Sequence, residues 1–174
     1  MKSNKLKLDK DNSVELVTSI LITYPTINTV DINLENKGLE ISFLIDHSMT
    51  DNSWLDKKSK LEQNFRLFNK FQNRTNQNVK FIKDDYEDLS RLKFIRSLDQ
   101  CSENELSFMI QVIEDIFGDK LLKNENLYPS SAFSSIDQLL ERVRKENIQE
   151  QKGDEYLGFI EEDKVLVFNK NRKD

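Results

Sequence analysis

The chain has 174 residues, a formal net charge of −5 and 37% hydrophobic residues, among them eleven Phe, enough for one domain with its own core. It carries only one histidine (His47), one cysteine (Cys101) and four glycines, which disfavours metal sites, nucleophile–base pairs and nucleotide-binding loops. No run of about 18–20 apolar residues is present to cross a bilayer, and no apolar segment follows the basic first residues as in a secretory signal, so a cytoplasmic protein with no membrane partner is expected.

Residues 1–11 are expected to form a mobile arm. Asn12, Ser13, Val14 and Glu15 then have capping-box spacing, with Asn12 as the cap. Val14, Val17, Leu21 and Tyr24 follow at helical period until Pro25, which predicts a helix over 12–24. Here the period changes to two. Val30, Ile32 and Leu34 alternate with polar neighbours, as do Leu39, Ile41, Phe43 and Ile45, and the turn at residues 35–38, ending in Gly38, makes this the clearest hairpin in the chain. A second helix is predicted over 53–74. Its inner stripe is Leu61, Phe65 and Phe68, widened by Leu67 and Phe71. A second hairpin follows over 78–98, with Val79, Phe81, Leu92 and Phe94 facing inward across an acidic turn at 84–88.

Ser102 and Glu105 have capping-box spacing for a third helix, which runs to Phe117 and stops at Gly118. It has almost no polar face and is expected to be buried on several sides. Residues 119–131 read as a connection with room for a short strand around 120–123. Ser135 and Gln138 open a fourth helix with the stripe Ile136, Leu139, Leu140 and Val143, weakening into the polar stretch 145–152. A last hairpin pairs 156–160 with 165–168, and the tail 169–174 is expected to be loose. The order α-ββ-α-ββ-α-α-ββ predicts an α+β fold: a mainly antiparallel sheet built from three β-hairpins with about four helices, in a single domain over 12–168. Residues 130–168 are open to a reading as a C-terminal subdomain. A parallel nucleotide-binding sheet is disfavoured, because it would alternate single strands with helices.

Candidate chemistry is sparse. The cluster Asp84, Asp85, Glu87 and Asp88 lacks the glycine and the spacing of a calcium loop, and reads as a solvated turn; Glu161, Glu162 and Asp163 read the same way. His47 has no evident catalytic partner, and Cys101 has no neighbouring cation to activate it. No catalytic, cofactor-binding or metal residue is assigned, and no cofactor is expected.

Two surfaces stand out. Residues 55–100 carry eleven Lys and Arg against seven acids, whereas 101–164 carry seven against fifteen. Lys57, Lys58, Lys60, Arg66, Lys70 and Arg74 on the second helix, with Lys80, Arg91 and Lys93 on the outward side of the second hairpin, form a candidate nucleic-acid patch. Sheet-based RNA readers stack bases on exposed aromatics; here Phe81 and Phe94 share the inward parity, which disfavours nucleic acid. The last hairpin is apolar on both faces, so Phe159, Val165, Val167 and Phe168 form a candidate interface with another protein or with a second copy. The preferred reading is a non-enzymatic binding or regulatory protein acting through protein–protein contacts. The alternatives are a nucleic-acid accessory protein using residues 57–96, and a small-molecule binder or enzyme whose site comes from scattered side chains.

Overall fold

Each change of period in the chain becomes a change of element. The helices are α1 (Asn12–Thr23), α2 (Asp51–Phe71), α3 (Glu103–Phe117) and α4 (Ile136–Glu146); the strands are β1 (Thr29–Asn33), β2 (Gly38–Ile45), β3 (Lys80–Tyr86), β4 (Leu89–Ser97), β5 (Glu155–Glu161) and β6 (Lys164–Asn169). This computed structural model describes residues 11–74, 79–125, 134–146 and 153–171. The expectations for residues 1–10, 75–78, 126–133, 147–152 and 172–174 lie outside them.

The fold is α+β, with one six-stranded antiparallel sheet in the order β3-β4-β2-β1-β5-β6. The first hairpin forms the centre of this sheet. The second hairpin joins on one side through β4 against β2, and the third on the other through β5 against β1. The short strand expected around 120–123 is reduced to one bridge, Leu121 against Ile45, reached through a 3-10 turn at Gly118–Lys120. Gly118 holds φ +53°, ψ −131°, a conformation that suits glycine at the close of α3.

All the described helices lie on one face of the sheet. Val30, Ile32, Leu39, Ile41, Phe43, Leu92, Phe94 and Tyr156 point to that side and are buried, and Leu16, Val17, Ile20 and Leu21 of α1 close over one half. Phe65 of α2 packs edge-on against Phe81 (5.4 Å) and Phe108 of α3 (5.6 Å), and tilted against Phe94 (5.5 Å), closing the other half. Ile136, Leu139, Leu140 and Val143 of α4 are buried as its periodicity requires.

Several expected details are corrected. The cap of α1 is Asp11, not Asn12: its carboxylate accepts from the Ser13 and Val14 amides, and its other oxygen from the Tyr156 hydroxyl (2.8 Å). Asp11 is therefore fastened structure, not the end of a mobile arm, and Asn12 instead donates to Glu146 of α4. Thr50 caps α2, which begins two residues before the expected Ser53. Leu67 and Phe71 do not widen its inner face; they point outward, Phe71 82% exposed. In the first hairpin Lys37, not Gly38, takes the positive φ (54°). The acidic turn shrinks to Glu87 and Asp88, because β3 runs on to Tyr86. The tail is tied as far as Lys170, which bonds Asp31 and Glu155.

At Gly158 α1 comes closer to the sheet than any side chain permits. A Cβ there would lie 2.1 Å from Val17 Cγ1 and 3.1 Å from Leu21 Cδ1. Val17 is β-branched and cannot swing aside cheaply. Gly158→Ala is expected to cost about 1–3 kcal/mol in urea unfolding, and Val17→Ala in the same chain should recover part of that loss. Strict additivity of the two losses would contradict this packing.

Candidate functional site

The two surfaces singled out in the sequence are each divided by the fold. In the last hairpin, Val165 and Val167 pack against the core on the helix-covered side. Phe159 and Phe168 lie on the opposite, uncovered face with Leu157 and Leu166, their opposites in the β5–β6 register. The two rings stack at 5.7 Å with an 18° interplanar angle, and Phe168 is 53% exposed. Full burial of a side chain of this size is worth about 1.5–3 kcal/mol, so this patch leaves a large part of its apolar surface in water.

Elsewhere the uncovered face mixes apolar and charged side chains: Leu44, Ile82 and Ile95 stand among Glu40, Asp84, Arg91 and Lys93, and two of its lysines are held by carboxylates. The Lys93 ammonium sits 3.2 Å from Asp84 and 3.5 Å from Glu40; Lys170 sits 2.7 Å from Glu155 and also reaches Asp31. Burial pulls both ammonium groups down, but their carboxylate partners outweigh it and hold them above the usual lysine range. At Asp31 burial wins over Lys170 and raises the carboxyl, while the Lys170 hydrogen bond lowers Glu155. Arg91 lies over the Tyr86 ring at 4.9 Å.

The basic residues do not form one patch. Lys80, Arg91 and Lys93 belong to the uncovered sheet face, whereas α2 packs on the other side. Along α2, Lys58 pairs with Glu62 and Lys60 with Asp56. Lys57 turns toward the end of α3, its Nζ 3.4 Å from the Ile116 carbonyl and 5.3 Å from the Phe117 ring centroid. There it supplies the positive charge that the last turn of α3 lacks. Arg66, Lys70 and Arg74 remain together, lining an open cleft of about 450 Å³ between α2 and β3.

The acidic cluster disperses in the same way. Asp84 pairs with Lys93, Asp85 with Lys83 and Ser90, and only Glu87 and Asp88 remain in the turn. The Lys83 and Ser90 hydrogen bonds lower the Asp85 carboxyl. His47 borders a cavity of about 250 Å³ with Met49, Lys57 and Phe117, and no carboxylate lines it. Cys101 is buried, and burial pushes its thiol far above the usual range, so it is held unreactive. Among the described residues, no three His, Cys, Asp or Glu side chains converge as a metal ion would require, and no helix is long and apolar enough to cross a membrane.

Sequence reasoning missed a buried ion pair that ties the sheet to α3. Arg96 on β4 and Glu105 on α3 have fully buried side chains. The guanidinium Nε donates to Glu105 Oε2 (3.2 Å), Nη2 lies 3.0 Å from Oε1, and Nη1 donates to Gln100 (3.1 Å). Glu105 has the spacing of a capping-box residue, but only half the box forms: its amide donates to Ser102 Oγ (3.1 Å) while its carboxylate turns inward. Burial raises that carboxyl even though Arg96 pulls it down. Beside the pair, Arg144 of α4 donates to the Leu98 carbonyl (2.8 and 2.9 Å) and to that of Cys101. The alternation of β4 was the available signal, because it places Arg96 on the same side as Leu92 and Phe94. The arrangement is a lock between elements, with no opening for a substrate at the pair itself.

No known family model, characterised protein or solved structure matches this chain.

Arg96→Met leaves Glu105 buried without its cation, and a loss of about 3–5 kcal/mol near neutral pH is expected in urea unfolding. Without Arg96 the folded-state pKa of Glu105 rises further above its unfolded value. The folded state then binds the extra proton, and the deficit against wild type should shrink as pH falls toward the unfolded pKa. A deficit that stays constant down to about pH 5 would contradict a charged, buried Glu105.

Proposed function

We propose that this protein is a binding protein that acts through protein–protein contacts, docking a partner on the uncovered sheet face at β5 and β6. The observation that carries this reading is the stacked pair Phe159 and Phe168, flanked by Leu157 and Leu166 on a face that no described helix covers. On that face Lys93 and Lys170 are already paired with carboxylates. The apolar patch thus has unspent binding energy, while the polar part supplies a rim.

The edge strand β6 extends the same surface. Its outer backbone groups pair with no other described strand, and it is only six residues long. A partner segment can add to such an edge by main-chain hydrogen bonds while its side chains cover the two phenyl rings. We place this role in the cytoplasm, where a lone cysteine such as Cys101 stays a reduced, buried thiol.

A photo-crosslinking residue at Phe168, introduced in cells, is expected to give a discrete adduct, with a second copy or with another protein. The same residue at Gln63, exposed on α2, should give none, and Phe159→Asp should abolish the adduct from position 168. Absence of a discrete adduct at 168, or identical adducts from both positions, would contradict the reading.

A further inference from the structure

Of three cavities among the described residues, two have their charges committed. One, beside Cys101, holds both signs, but its groups are occupied: Arg144 on carbonyls, Arg74 on the Gln100 carbonyl, Asp137 on the Glu103 amide, Glu141 on Lys145 and Asp99 on Lys37. The His47 cavity has Lys57 turned onto the end of α3. The cleft between α2 and β3 differs. Arg66 and Lys70 stand at i and i+4 on one side of α2, and Arg74, three residues past its end, lines the same cleft. Among the described residues, Arg66 and Lys70 make no ion pair and no side-chain hydrogen bond, whereas Lys58 and Lys60 on the same helix are both paired. Arg74 spends one amino group on the Gln100 carbonyl (3.3 Å). The one acid in the cleft, Glu62, is drawn toward Lys58 at 3.9 Å.

The floor is apolar and built from the core: Phe65 and Phe81 are buried and meet edge-to-face, with Val79 beside them. The Asn69 amide lines the wall between the cationic positions, and its Oδ1 is buried with no partner. An unpaired buried acceptor costs about 1–3 kcal/mol unless a donor meets it. The volume of about 450 Å³ falls within the span usual for small ligands.

We infer that this cleft is a binding site for a small phosphomonoester carrying an aromatic or apolar group, with Arg66, Lys70 and Arg74 on the phosphate and Phe65 and Phe81 under the ring. A guanidinium grips phosphate oxygens in a bidentate fork and Lys adds a mobile point charge. The three cations, less the charge of Glu62, balance a phosphate dianion. Asn69 Oδ1 would accept from a hydroxyl or amine of the ligand. The site lies across the sheet from the Phe159 and Phe168 patch, so its fate is independent of the docking role.

The test is titration of the ¹⁵N-labelled full chain with phenyl phosphate, followed by amide shifts. Saturable shifts confined to α2 and the start of β3 are expected. Arg66→Ala with Lys70→Ala should weaken binding by about tenfold or more without changing the unfolding midpoint. Benzyl alcohol, which has the ring but no charge, should not bind. Absence of saturable shifts, or shifts unaffected by the double variant, would overturn the site. Inorganic phosphate binding as tightly as phenyl phosphate would overturn the role of the phenyl floor. Tighter binding of a short single-stranded RNA at the same residues would overturn the small-ligand assignment in favour of a phosphodiester backbone.

Discussion

A six-stranded sheet has two faces, and in this protein the described helices cover only one. Antiparallel sheets tolerate this when the open face is polar, and part of the open face meets that condition with hydroxyls and paired charges. Thr29 and Ser42 share a hydroxyl–hydroxyl bond at 2.5 Å, and Lys93 and Lys170 each bridge two carboxylates. Leu44, Ile82 and Ile95 interrupt this polar background on the β2–β4–β3 side, whereas β5 and β6 gather four apolar side chains around two stacked rings. The one-sided covering gives the Phe159–Phe168 pair its meaning.

The covered side is held together by packing and fastened at its ends by polar groups reaching between elements. Asp11 caps α1 and receives the Tyr156 hydroxyl of β5. Lys57 of α2 serves the end of α3, Arg96 of β4 holds Glu105 of α3, and Arg144 of α4 ties down the carbonyls that follow β4. Helix ends leave backbone groups without intrahelical partners, and several of these contacts sit where an element stops. A buried pair such as Arg96 and Glu105 contributes little net stability over an apolar pair, because desolvation offsets the attraction. It does make loss of either partner costly, which fixes how α3 sits against the sheet.

Periodicity made the element order and the hairpins legible, because apolar residues spaced at two or at 3.6 state which side is buried. Local spacing was a poorer guide wherever a distant element competed for a side chain. Glu105 has the spacing of a cap and is drawn inward by Arg96; Asn12 has it too and is displaced by Asp11, one residue earlier. Leu67 and Phe71 look like an extension of a helical stripe, yet the sheet and α3 reach only as far as Phe65 and Phe68. The two-sided apolar pattern of β6 was visible in the chain. Which of its faces meets α1 is decided by the pairing of β5 with β1 and by the close approach of α1 at Gly158, and both β1 and α1 lie far from β6 in sequence.

Adjacent residues of one strand offer the most direct measurement, because Val167 faces the core and Phe168 faces away from it. Urea unfolding of Val167→Asp and Phe168→Asp should separate the two faces. A one-sided covering predicts a loss of ~2 kcal/mol or more for Val167→Asp and a change within about 0.5 kcal/mol for Phe168→Asp. Equal losses at both positions would mean that the face carrying Phe159 and Phe168 is covered within the monomer, and the account would fail.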